Sequence, residues 1–419
     1  LLDQWTEDFA NRAGHDVMRF YAGDPGGCTD ARCTPWGKSF VHLSEEMAAI
    51  WHKTHPNSIV LIANQGLDNE GDRYIFDYLN AQPRTWCYGI CYGPGSNAMS
   101  NYFRDKLRDD LFEYPGDGPV NRYISETLRE LPANQRIVHY SDITHWISAQ
   151  FMVENPEPNI VRAYGRRTFH ARPAAMYRVF KAIMPFSEGD IIYSEGYHDE
   201  FHQYLWNRLL WNPNQSLDDV LRDYCTYHFG ADAAPLMADA LLEMEHILER
   251  PVATNEGMAR YYDLVKSAGE KIPANLMAID HRWRMHMQHA ALDKHLQLRV
   301  RKEFDQEERV RAALTVGIEK GKLDGAIQSA LTILSEPVST SEMDALREEA
   351  GVLGEKTNEL FGIRDIGYFR NDRTLRDLPG HIATLEKALV TKGRAQKRTL
   401  IQQCIANTLK PTRLGNIFG

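Results

Sequence analysis

Apolar residues in the first half of the chain follow two alternating rhythms. Short apolar runs at 17–22, 59–63, 86–92, 137–140 and 191–193 are separated by stretches in which apolar positions recur every three or four residues. The first rhythm is that of a strand buried on both faces, and the second lays apolar side chains along one side of a helix. The breakers agree. Helices are predicted at 39–55 closing at Pro56, 70–80 closing before Pro83, 101–112, 119–130 closing at Pro132, and 173–184 opening at Pro173. Strands that alternate with helices predict a parallel sheet.

From Ser216 the strand rhythm stops. Ser216-Leu217-Asp218-Asp219 reads as a helix start with Ser216 as N-cap, and Gly230 as the residue that ends that helix. Further helices are predicted at 233–249, 255–270, 273–304, 306–333, 340–361 and 380–408. The fold class is therefore α/β. Residues 1–213 are read as a (partial) TIM-type (β/α)8 barrel with about five strands visible, and residues 214–419 as an all-α C-terminal domain. Polar residues at the end of every run favour a barrel with its site at the rim over a doubly wound sheet with one crevice. Such a barrel needs eight strands. The first three units are thus expected from a removed N-terminal portion, from a longer sequence, or from a partner chain.

Ionisable side chains gather where the runs stop. The fifth run passes through Ser194 into Glu195-Gly196-Tyr197-His198-Asp199-Glu200. Barrel enzymes keep their chemistry just beyond buried strands, so Glu195 is the first candidate for a catalytic carboxylate. The fourth run ends in Ser141-Asp142-Ile143-Thr144-His145-Trp146. An acid, an imidazole and an indole in one loop suit sugar hydroxyls and a sugar ring, although Asp142 is as well explained by capping the turn. The first run ends in Gly23-Asp24-Pro25-Gly26-Gly27-Cys28, where Asp24 is either a further acid candidate or a loop former. Asn64, Tyr92 and Asn97 follow the second and third runs, and with His198 and Asp199 they complete the substrate-binding candidates. Arg166 and Arg172, within a basic cluster that includes Arg162, Arg167 and His170, are candidates for clamping a substrate carboxylate. A solvated or ion-paired loop is the alternative.

The net charge of -9, from 57 acidic and 48 basic residues spread along the chain, argues against nucleic acid as a partner. No apolar run approaches the roughly 18 residues of a membrane span. Cys28-x4-Cys33 and Cys87-x3-Cys91 do not suit one zinc site, because residues four apart in a strand lie roughly 13 Å apart. A Cys28–Cys33 disulfide or burial as small hydrophobes explains them better. His281, His286, His289 and His295 share no metal-spaced helical face, so they are read as surface or packing residues. Neither a metal nor a cofactor is expected. The compartment is left open, weighted toward a periplasmic or secreted one.

Residues 193–230 contain Tyr193-Ser194-Glu195-Gly196, Arg208-Leu209-Leu210-Trp211-Asn212-Pro213 and His228-Phe229-Gly230. This block resembles one in α-glucuronidases, where Arg-Leu-Ala-Trp-Asp-Pro and a helix ending in Phe-Gly link the last barrel strand to a helical domain. It also resembles α-N-acetylglucosaminidases, in which a last-strand Glu-Gly supplies the nucleophile. The resemblance implies that Glu195 is the nucleophile or base. Those families place a glutamate acid catalyst a few residues after the strand matching 17–22, whereas this chain offers Asp24. The expected function is a glycoside hydrolase using two carboxyl groups, Glu195 with Asp24 or Asp142 as proton donor. Its substrate would be an oligosaccharide or polysaccharide-derived glycoside with a terminal uronic acid or N-acetylhexosamine. The alternative is a catalytically inactive carbohydrate-binding barrel protein.

Overall fold

The computed structural model describes residues 4, 16–23, 27–28, 30–64, 67, 69–93, 112–113, 120–121, 131–147, 150–151, 153, 155–368 and 376–408. Asp24 and Asn97 lie outside them. The described chain forms two compact units. The first comprises residues 1–152, 174–196 and 200–217, and the second 153–173, 197–199 and 218–419.

The first unit is built on parallel strands β1 (Val17–Tyr21), β2 (Ile59–Ala63), β3 (Gly89–Tyr92) and β6 (Arg136–His139), paired in the order β1-β2-β3-β6. A fifth run continues the series. His139 pairs in parallel with Asp190, and Asp142 with Tyr193. Ile191 N–H donates to the His139 carbonyl at 2.8 Å, and Tyr193 N–H to the Ser141 carbonyl at 2.7 Å. Among the described residues, all five predicted runs thus lie side by side in chain order.

Both sheet faces are apolar, as continuous apolar runs require. Val60, Ile62, Ile90, Tyr92 and Ile137 are buried on one face. Leu61, Ala63 and Cys91 cluster on the other with Ile59, Tyr88, Val138, Tyr140 and Ile191, which are only partly buried. Gly89 marks a tight approach, because a Cβ there would lie 1.8 Å from the Arg136 carbonyl oxygen across the β3–β6 pair. Helices Trp36–Thr54, Asn69–Ala81 and Pro173–Ile183 fall where the breakers place them.

Two predicted helices differ from the structure at the few positions of theirs that are described. Residues 112–113 and 120–121 form the short antiparallel strands β4 (Phe112–Glu113) and β5 (Val120–Asn121). The sequence joining them holds Pro115, Gly116, Gly118 and Pro119, residue types that favour a turn between strands over a continued helix. The remaining residues of 101–112 and 119–130 lie outside the described set.

The second unit is helical, as the sequence predicts from Ser216, with different breaks. A single helix, Arg282–Glu319, runs through the break expected near residue 305, and ends where Gly321 adopts a left-handed φ of 67°. The stretch 380–408 is instead two helices, Leu378–Val390 and Arg394–Asn407, separated at Thr391-Lys392-Gly393. Gly230 ends Leu217–Phe229 with a φ of 83°, as expected of a glycine at that position. Val310 and Leu314 of the long helix pack with Ile327, Ala330, Leu385, Ile401 and Cys404 into one apolar core.

Candidate active site

Side chains two apart on a strand share a face, so Tyr193 and Glu195 project together from the fifth run. Asp142, opposite Tyr193 in the pairing, projects beside them. Tyr193 Oη donates to Glu195 Oε1 at 2.8 Å, and His145 Nε2 lies 3.3 Å from the same oxygen. The other ring nitrogen of His145, Nδ1, lies 2.8 Å from Asp142 Oδ2. Asp142 Oδ1 accepts the backbone N–H groups of Thr144 and His145, both at 3.1 Å. The Glu195 N–H donates to Thr144 Oγ1 at 3.0 Å. A line of groups, Asp142, His145, Glu195 and Tyr193, is thereby fixed at the ends of two neighbouring parallel strands. Burial, helped by the bond to Glu195, pushes the Tyr193 hydroxyl above its ordinary range, so it remains a proton-bearing donor at neutral pH.

The two carboxylates differ in access. The Glu195 side chain is 16% exposed and that of Asp142 3%. Asp142 has both oxygens engaged in fixing its own loop and His145, whereas Glu195 keeps part of its carboxyl exposed.

Next to this line on the same face lies a cation. Arg19 of β1 places its guanidinium 4.3 Å from the centre of the Tyr140 ring, and that ring lies 6.2 Å from Tyr193. Arg19 Nη1 is also 3.9 Å from Cys91 Sγ. Burial raises the Cys91 thiol to about 11, so it is neutral at physiological pH and does not balance the charge of Arg19. Among the described residues no carboxylate pairs with Arg19. Sequence reasoning missed both Tyr193 and Arg19. The i, i+2 spacing of Tyr193 and Glu195 was the available signal for the first, and no local pattern signalled the second.

Other candidates are placed differently. Trp146, expected to stack on a sugar, and Tyr92, a substrate-binding candidate, are fully buried; Tyr92 sits edge-on to His139 on the covered face of the sheet. Asn64 is likewise buried. His198, Asp199, Arg166 and Arg172 belong to the second unit, where Asp199 and Arg172 are buried and Arg166 is exposed. Behind the sheet, Asp190 accepts from Ser141 N–H at 3.0 Å and from Trp206 Nε1 at 2.9 Å. Ser141 Oγ bonds both Asp190 and His139 Nδ1. The side chains of this serine, histidine and aspartate are sealed, and burial holds His139 below its ordinary pKa; they tie the fifth run to β6.

The second unit holds another histidine–carboxylate–tyrosine set. Tyr164 Oη donates to both oxygens of Asp293 at 2.8 and 2.9 Å, and His289 Nδ1 is 3.3 Å from Asp293 Oδ2. Tyr261 Oη hydrogen-bonds His286 Nδ1 at 2.8 Å. These five side chains are buried to within 1% of completely. Burial, with adjacent His289 and Arg282, lowers His286 to about 3, so it is held neutral. His286 and His289 are packing residues, as read from their spacing. All six cysteines carry free thiols, and among the described residues no cluster of three or more His, Cys, Asp or Glu side chains suits a metal ion.

Residues 159–241 match a family described as "Domain of unknown function (DUF4838)". No curated protein matches the sequence. Among solved structures, the fold is similar to that of a GH115 4-O-methyl-α-glucuronidase with specificity for decorated arabinogalactans. The TM-score is 0.50 and the identity 10%, over all of this chain and 48% of that one. A GH138 enzyme targeting pectin rhamnogalacturonan II aligns with a TM-score of 0.38 at 9% identity, over 89% of this chain and 55% of that one. The chain thus spans about half the length of these structures.

Proposed function

We propose that the protein is a glycoside hydrolase of the two-carboxylate type, with Glu195 as nucleophile or base. The observation that carries this reading is the partly exposed Glu195 carboxyl at the trailing end of a parallel strand, with Tyr193 donating to Oε1 and His145 Nε2 3.3 Å from it. The fold-level likeness to the α-glucuronidase supports it as analogy. In this reading Asp142 orients His145, which leaves Asp24, three residues beyond β1 in the sequence, as the proton donor. The sheet continues into a (β/α)8 barrel whose further strands cover the outer edge of β1, where Val17 and Tyr21 are 46% and 40% exposed. Those strands come from a longer chain or from a partner. The Arg19 guanidinium beside Tyr140, without a carboxylate partner among the described residues, favours an acidic terminal sugar over an N-acetylhexosamine.

The missing family glutamate favours a second reading, a sugar-binding protein without catalysis. A panel of aryl glucuronides and N-acetylhexosaminides, assayed with wild type and Glu195→Gln, separates the two. The hydrolase reading expects product from wild type and none from the variant. Heat of sugar binding by calorimetry without product would establish the second reading and overturn the first.

A further inference from the structure

We infer that His145 is a positioning residue that shares a proton with Glu195 and is itself oriented by Asp142, rather than a contact for sugar hydroxyls. This rests on the proposed role of Glu195. His145 is 4% exposed, and each ring nitrogen faces a carboxylate oxygen, Asp142 at 2.8 Å and Glu195 at 3.3 Å. An ionised carboxylate only accepts, so Nδ1 carries a hydrogen toward Asp142. That choice is enforced locally. Asp142 is pinned by the N–H groups of Thr144 and His145 and cannot turn away. Nε2 is therefore the nitrogen that exchanges protons, and its facing atom is Glu195 Oε1. A proton on Nε2 donates to Oε1, and the same proton on Oε1 donates to Nε2. The pair holds one proton in either form, and no other bond changes.

The groups facing the imidazole are Asp142 from its own loop and Glu195 and Tyr193 from the fifth run, whose tyrosine ring lies 5.9 Å away and nearly parallel. Tyr140 and then Arg19 lie one ring further out. Tyr193 remains a donor to Oε1, so that oxygen lies between Tyr193 and His145. The arrangement has the logic of the aspartate–histidine pair of serine hydrolases, with a glutamate where those enzymes keep a serine.

The test is nitrogen-15 NMR of the full chain with labelled histidine, the His145 signals being identified by their loss in His145→Gln. Asp142→Asn is expected to remove the protonated Nδ1 signal, and Glu195→Gln to shift Nε2. Unchanged His145 signals in both variants would overturn the inference, whatever the enzyme does. On a glycoside that wild type cleaves, His145→Gln should lower kcat about 100-fold, leave KM unchanged and alter the pH profile. Wild-type kcat in His145→Gln would also overturn it. If instead Glu195→Gln retains full turnover, the hydrolase reading fails, and the NMR result still decides the proton sharing.

Discussion

The two units each contain histidine, a carboxylate and tyrosine within hydrogen-bonding distance, and only the first set leaves a carboxylate partly exposed. At the strand ends, His145 joins Asp142 to a glutamate whose side chain remains partly exposed. In the helical unit, Asp293 is closed off by Tyr164 and by His289, all without solvent access. Residue types alone therefore do not mark a catalytic site. The difference lies in whether the outermost acid can meet a ligand. A carboxylate sealed with its donors contributes fold specificity at a desolvation cost, and one left ajar can exchange protons.

The comparison predicts opposite failures. Removing the sealed carboxylate by Asp293→Ala should destabilise the protein by about 3–5 kcal/mol, because Tyr164 and His289 lose a buried partner. A denaturant midpoint matching that of wild type would show the helical set to be dispensable. The second test uses acid. His286 has a folded-state pKa of about 3 against an ordinary value of 6.5, so the unfolded state binds more protons between those limits. Its contribution is therefore intact above about pH 6.5 and lost as pH falls toward about 3, by an amount on the order of a few kcal/mol. His286→Gln should flatten the dependence of the urea midpoint on pH between 6.5 and 4, and a slope as steep as that of wild type would assign the acid lability elsewhere. The smallest expected effect is at the open set. Tyr193→Phe removes one donor from Glu195 Oε1 and should lower kcat/KM about tenfold with little change in melting temperature. Equal kinetics would mean that His145 alone fixes the glutamate.

Much of this layout is legible in the sequence, for specific reasons. The five parallel runs are continuous and apolar, and Pro56, Pro83 and Pro173 punctuate the helices between them, so pattern and breakers point to one answer. Glu195 and Asp142 are legible as strand-end acids. Their division of labour is not. It depends on Asp142 facing Tyr193 across the sheet, a register set by tertiary pairing rather than by either segment alone. Trp146 and Tyr92 are buried by their segments, and an aromatic residue reads the same in the sequence whether it faces in or out. Arg19 sits inside an apolar run, and its bearing on the site emerges only when β1 and the chain after β6 are brought together. In the helical unit, local propensity places the helices, yet 282–319 runs unbroken where the sequence predicts a boundary. Packing of Val310 and Leu314 favours continuity there.

The central claim is that Glu195 performs the chemistry and is not required for the fold. Turnover of a cleavable aryl glycoside, compared between wild type and Glu195→Gln with melting temperatures recorded on the same samples, tests it most directly. The account predicts a rate loss of at least about a thousandfold at an unchanged melting temperature. A variant that keeps wild-type turnover, or that loses turnover only because it no longer folds, would contradict it.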